Sequence, residues 1–312
     1  MADLAPPLRT ARPATRPLQT AELPNAAPLP AASPVMAPPA AAASSLTRHM
    51  RARKLYIFTL PKAGTYFLAQ LLSRMGWYDS GIHLAEDHYL DTHRQDLQSA
   101  RCRPLDVMRT QSYDLTLRAL PYGALCFGHM NPMYFARPHL SEVAVLACRR
   151  HPREALVAEF IDFRFRRDED WVRWVHPSRI PDDRLAFAEY LRQHGRVIAD
   201  IVATYIAYRQ LRQTDFYTGT REMGEYVDLR FEDLMGPAPL PAMRSIAQTF
   251  GQRLDDATLI DILTVARGAE NKTKSVGESI AVDRAALWTP QAEAAYQAHG
   301  FPRLAELLGY PG

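Results

Sequence analysis

The chain has 312 residues and a mass of 35.2 kDa, room for one large α/β domain or two small ones. With 47% hydrophobic and 23% charged residues it can bury an ordinary globular core, and no run approaches the roughly 18 apolar residues of a membrane span. The net charge is +3: six arginines against Asp3 and Glu22 put an excess of four on residues 1–53, which leaves about −1 for the rest and excludes a broadly basic nucleic-acid-binding surface.

Three cysteines (Cys102, Cys126, Cys148), odd in number and widely spaced, exclude a disulfide framework and a CxxC zinc site. A reducing, cytoplasmic compartment suits them. Only four lysines occur, Lys54, Lys62, Lys272 and Lys274, so each is a marked position.

Residues 1–46 hold ten of the 24 prolines and fourteen alanines and no periodic apolar face. Such a segment cannot offset its ordering entropy by burial, and residues 1–50 read as a disordered Pro/Ala-rich tail. Arg9, Arg12 and Arg16 with few acids leave an organelle-targeting or export role open. Folded sequence is expected from residue 51 to 312.

Residues 54–60 (KLYIFTL) predict a buried strand, broken by Pro61, Ala63 and Gly64. Thr65 opens a helix with Phe67, Leu68, Leu71, Leu72 and Met75 at helical spacing, closed by Gly76. Further strands are predicted at 124–128 (ALCFG), 143–148 (VAVLAC) and 226–231 (YVDLRF). The second of these is the most continuous apolar run and therefore central. Helices are predicted at about 152–166, 184–211, 241–250 and 255–266, and from Pro290 onward. Residues 168–184, mixing charge, Trp and Pro, read as an excursion or lid, and 268–279 as a polar loop. Strands alternating with helices predict an α/β fold, a doubly wound parallel sheet with flanking helices.

Two segments carry chemistry. In Thr59-Leu-Pro-Lys-Ala-Gly-Thr65 a strand turns into a helix start. Unpaired backbone N–H groups and the helix dipole there suit a phosphate or sulfate, with Lys62 as a mobile charge and Thr65 as a hydroxyl. This is not a Walker loop, because Lys62 precedes the single glycine. An ordinary β–α turn with a surface lysine remains the plainer reading. In Cys148-Arg-Arg-His-Pro-Arg-Glu154 a strand again runs into a helix, with arginines at the sheet edge where open α/β sheets bind ligands. Alternatively Arg149 or Arg153 pairs with Glu154 or Glu159 on the helix surface.

Taken together, these segments resemble the sulfotransferases that use 3′-phosphoadenosine 5′-phosphosulfate (PAPS). Residues 59–68 (TLPKAGTYFL) are similar to that family's 5′-phosphosulfate loop, and residues 150–160 (RHPREALVAEF) to its 3′-phosphate segment, except at Ala158. Phe231-Glu-Asp-Leu234, Lys272-Thr-Lys-Ser-Val-Gly277 and Trp288-Thr-Pro290 follow in family order, so that the resemblance spans about residues 54–310.

The resemblance implies a P-loop-NTPase-like topology and an in-line transfer that releases 3′,5′-ADP, with no metal. It makes Lys62 the catalytic lysine at the departing 5′-phosphate, whose growing charge an ammonium stabilises. Pro61, Ala63, Gly64, Thr65 and Tyr66 would form the phosphosulfate loop. Phe67 would lie against the adenine, although it also belongs to the helix's apolar stripe, and Phe231 has the same double reading. Arg150 would hold the 3′-phosphate. The family's partner serine falls at Ala158, with the loss of one hydrogen bond, and Lys272, Thr273 and Lys274 would supply a late loop of variant form.

His129 matches the family's histidine base, and Glu86 is the substitute. Residues 78–122 and 162–185, with Trp77, Tyr89, Trp171 and Trp174, would shape the pocket of a small-molecule, glycan or lipid acceptor, although such aromatics more often pack in the core. Two alternatives stay open: a magnesium-dependent kinase or NTPase, and a nucleotide-binding protein without catalysis.

Overall fold

The computed structural model describes residues 52–85, 88–92, 103, 108–135, 137–214, 224–269 and 282–311. The N-terminal segment read as a tail, Glu86 and the late loop with Lys272, Thr273 and Lys274 lie outside the described residues.

In chain order the elements are β1 (Lys54–Thr59), α1 (Thr65–Arg74), β2 (Tyr78–Ala85), β3 (His88–Asp91), β4 (Arg109–Thr110), α2 (Tyr113–Ala119) and β5 (Ala124–Gly128). There follow α3 (Arg137–Glu142), β6 (Val143–Arg149), α4 (Pro152–Phe165), α5 (Asp183–Gln213), β7 (Tyr226–Arg230) and α6 (Phe231–Met235). The last are α7 (Leu240–Thr249), α8 (Asp256–Gly268), α9 (Pro290–Ala298) and α10 (Phe301–Leu307). Short 3-10 turns stand at Pro132–Tyr134 and Asp170–Val175.

One seven-stranded sheet runs in the order β4-β3-β2-β5-β1-β6-β7. From β2 to β7 it is parallel, and β3 and β4 extend it antiparallel. Every residue of β1 is buried, because helices cover both faces of the sheet. Phe58 packs on Tyr205 and Tyr208 of α5. Alternation sends Leu55 and Ile57 to the opposite face. Helices α4, α5, α9 and α10 pack on one another, and α1 packs with α8.

Because β1, β5 and β6 are parallel neighbours, the chain leaves all three at one edge. Thr59, Gly128 and Arg149 end those strands. That edge gathers Lys62, His129 and Arg150 from distant parts of the sequence.

Three expectations need revision. The sequence reading anticipates four strands, and the sheet also contains β2, β3 and β4. Their sequences, YDSGIHLA, HYLD and RT, are too polar and too short to show alternation; they belong to the sheet margin. The segment at 168–184 is fastened rather than free-standing. Val172 and Val175 are buried, and the buried Arg164 donates to the carbonyls of Val175, Ile180 (2.9 Å) and Pro181 (3.2 Å) and to Asp183. Trp77 is sealed in the core against Phe250 and so does not face an acceptor.

Candidate active site

The loop after β1 begins with Leu60, whose N–H donates to the Cys148 carbonyl at the end of β6 (3.1 Å). The Ala63 N–H returns to the Leu60 carbonyl (3.0 Å), which tightens the turn. Lys62 has φ 61°, the one positive φ of a non-glycine among the described residues, a conformation costing about 1–2 kcal/mol for an L side chain. Gly64 is the N-cap of α1 at φ 86°, and no side chain caps the helix. The N–H groups of Thr65, Tyr66 and Phe67 therefore lack a helical acceptor and converge with the positive end of the helix dipole. A Cβ on Gly64 would lie 2.5 Å from Cε2 of Phe231, so only glycine fits beneath that ring. These features fit an anionic oxygen group: uncapped amides, a glycine where the backbone allows close approach, and the cations Lys62 and Arg150 nearby.

Arg150, at the end of β6, donates to the Lys62 carbonyl (3.1 Å) and lies 5.2 Å over the Phe231 ring. Glu154 is 3.6 Å away. Burial lowers the Arg150 pKa, and the guanidinium remains charged. The other arginines of the cluster do not join it. Alternation turns Arg149 to Asp228 and the Leu308 carbonyl (2.7 Å). Arg153 pairs with Glu293 (2.6 Å) beneath Trp288. Neither takes the helix-surface partner that the sequence suggests.

The turn into α4 is braced from elsewhere. The N–H of His151 donates to Glu232 (2.8 Å), and the other oxygen of Glu232 accepts from the Tyr310 hydroxyl (2.7 Å).

His129 follows β5. Its Nδ1 lies 2.9 Å from the Thr59 carbonyl, an acceptor only, so Nδ1 carries the proton and Nε2 keeps its lone pair. Burial lowers the His129 pKa and the charge on Lys62 adds to that, whereas the backbone bond opposes it. The imidazole is thus poised neutral. The Thr59 hydroxyl bonds the Thr65 hydroxyl (2.6 Å), so Thr65 ties strand to helix instead of capping α1.

The Lys62 ammonium is held by Asp162 of α4 (2.8 Å), and Arg166 bonds the same carboxylate. Burial lowers the Lys62 pKa, and Asp162 works against that. Burial would raise the Asp162 carboxyl, but Lys62 and Arg166 overcome it and hold the pKa well below its ordinary value. One turn back, the buried Glu159 accepts from Tyr190 (2.7 Å), and burial pushes its pKa up to about 6.

Tyr66 and His83 complete this wall. The Tyr66 hydroxyl meets His83 Nδ1 (3.2 Å), and the His83 ring stands 5.2 Å from that of His129.

Lys62, Gly64, Thr65, Arg150 and Phe231 thus meet at one sheet edge, with His129 on the β5 side. Pro61 and Ala63 stay within the loop, and Ala158 is half-buried on α4. Phe67 is buried edge-on against Phe231, as its place in the apolar stripe requires. Sequence reasoning did not single out Asp162. Its signal was a carboxylate inside the apolar run Phe160-Ile161-Asp162-Phe163, a position that has to be paired when buried.

This architecture, a mostly parallel seven-stranded sheet flanked by helices, is a sulfotransferase-like fold. Mouse sulfotransferase SULT7A1 complexed with PAP is similar at a TM-score of 0.51 and 12% identity, over 83% of this chain and 89% of that one. A structure of retinol dehydratase in complex with androsterone and inactive cofactor PAP gives a TM-score of 0.49 at 12% identity, over 80% and 82%. At such identity the likeness is one of fold. No family model and no curated protein matches the sequence. Among the described residues no helix is long and apolar enough to cross a membrane.

Proposed function

We propose that residues 51–312 form a sulfotransferase domain that moves a sulfuryl group from PAPS to a hydroxyl or amine acceptor. The observation that carries this reading is the union of two anchoring points. Arg150, from the end of β6, is hydrogen-bonded to the carbonyl of Lys62 in the uncapped loop after β1. A carrier with phosphate at both ends suits such a pair, the loop taking the 5′-phosphosulfate and Arg150 the 3′-phosphate.

In the reaction the acceptor oxygen attacks sulfur in line and the bond between sulfur and the bridging oxygen breaks. The Lys62 ammonium stabilises the charge left on the 5′-phosphate. The acceptor's proton goes to Nε2 of His129, the nitrogen left basic by the bond at Nδ1. The products are a sulfate ester, or a sulfamate from an amine, and 3′,5′-ADP. Lys272, Thr273 and Lys274 belong to the same proposal as a late loop over the 3′-phosphate. The acceptor is a small molecule, glycan or lipid, and the setting cytoplasmic.

The test is incubation with labelled PAPS and an acceptor panel, reading released 3′,5′-ADP, alongside calorimetry with 3′,5′-ADP. Lys62→Ala is expected to bind the nucleotide and lose nearly all turnover. Full turnover in that variant would refute its role. A second reading, nucleotide binding without transfer, draws on Ala158, which has no hydroxyl for the 3′-phosphate. It predicts heat with 3′,5′-ADP and no product from any acceptor.

A further inference from the structure

We propose that Asp162 is a positioning residue for Lys62: a carboxylate shared with Arg166 that holds the ammonium beside the loop and hands it to the donor phosphate. The inference rests on reading Lys62 as the cation of the donor loop.

The Lys62 side chain is 18% exposed and that of Asp162 only 5%, so this is an inward pairing and not a surface salt bridge. Lys62 is fixed twice. Arg150 holds its carbonyl from β6, and Asp162 holds its ammonium from α4.

The charged and titratable groups around Lys62 come from every neighbouring element. Glu159, Asp162 and Arg166 are on α4, His129 follows β5, Arg150 ends β6 and Tyr66 is on α1. Asp162 is the one that touches the ammonium.

Arg166 makes the arrangement a hand-off. Its Nε and its second terminal nitrogen bond the two oxygens of Asp162, one each. When Lys62 leaves for a phosphate oxygen, the buried carboxylate keeps a bidentate partner. The movement therefore leaves no unpaired charge behind, which would oppose it strongly. Asp162 does not touch the reacting atoms. It sets where the ammonium waits and keeps it protonated against burial.

The scarcity of lysine permits a direct test. Protein labelled with 13Cε-lysine carries four lysine signals, one for each of Lys54, Lys62, Lys272 and Lys274, and Lys62→Arg assigns the one that matters. Without ligand, Asp162→Asn is expected to lower the Lys62 titration midpoint by about one to three units. Arg166→Gln, which leaves the Lys62–Asp162 contact in place, is expected to raise it. An unchanged midpoint in Asp162→Asn, or a lowered one in Arg166→Gln, overturns the proposal. If Asp162→Asn does not fold, Asp162→Ser takes its place, with the same downward shift expected and an unchanged midpoint overturning the proposal.

Saturation with 3′,5′-ADP is expected to narrow the difference between wild type and Asp162→Asn, because phosphate then replaces the carboxylate. A full difference in its presence overturns the hand-off. Absence of heat with 3′,5′-ADP removes the sulfotransferase reading and the hand-off with it, while the ligand-free titration still judges the hold of Asp162 on Lys62.

Discussion

Gly64→Ala perturbs the loop after β1 in two separable ways. The new Cβ would meet Cε2 and Cδ2 of Phe231 at 2.5 and 2.7 Å, where carbon atoms pack at about 3.5–4.0 Å, so the ring must retreat by about 1 Å. Such overpacking costs about 1–3 kcal/mol. The φ of 86° adds about 1–2 kcal/mol for any L side chain. Together the variant is expected to lose about 2–5 kcal/mol in urea unfolding.

Phe231→Ala removes the clash but not the backbone strain. In that background Gly64→Ala is expected to cost only about 1–2 kcal/mol, a coupling of about 1–3 kcal/mol in the double-mutant cycle. Because Arg150 rests on the displaced ring, the affinity of the single variant for 3′,5′-ADP is expected to fall about tenfold, or about 1.4 kcal/mol. Costs that add to within about 0.5 kcal/mol would show that ring and glycine do not constrain each other.

If Arg150 takes a 3′-phosphate as proposed, Ala158→Ser supplies a hydroxyl on the neighbouring helix and is expected to tighten 3′,5′-ADP by about 1.5–3 kcal/mol in calorimetry; no gain would place Ala158 away from the nucleotide. Glu159→Gln bears on stability. The carboxyl has a folded pKa raised from 4.5 to about 6, so the folded state holds its proton more firmly and stability is lost as pH rises through that window. At pH 7.5 the variant is therefore expected to be more stable by up to about 2 kcal/mol, a gain that falls below about 0.5 kcal/mol at pH 4.5; a constant difference across pH contradicts the assignment. Burial lowers the His129 pKa in the free protein, so with His129 as the base the acid limb of kcat/KM is expected at a midpoint below that of an ordinary imidazole and is absent from the residual activity of His129→Asn.

The parts of the fold legible in the sequence are those whose burial is complete and continuous. The runs KLYIFT, ALCFG and VAVLACR are each wholly buried, and a strand buried on both faces needs no pattern beyond apolarity. β2 was hidden because it carries Asp79, Ser80 and Gly81 and shifts register against β5 between Asp79 and His83. The loop after β1 could be singled out as a candidate anion site because its residues are contiguous in sequence. What the sequence withheld were choices made by geometry. Of Arg149, Arg150 and Arg153 only the second turns to the loop, since strand alternation and helix start send its neighbours elsewhere. The tautomer of His129 likewise depends on a carbonyl seventy positions away.

The Tyr310–Glu232–His151 relay has a practical bearing. Tyr310 braces, through Glu232, the turn from which Arg150 projects, so the placement of that arginine depends on a segment far along the chain from the loop after β1. A reporter fused there, or trimming by a few positions, would be registered first as slackened nucleotide capture and only afterwards as lost solubility.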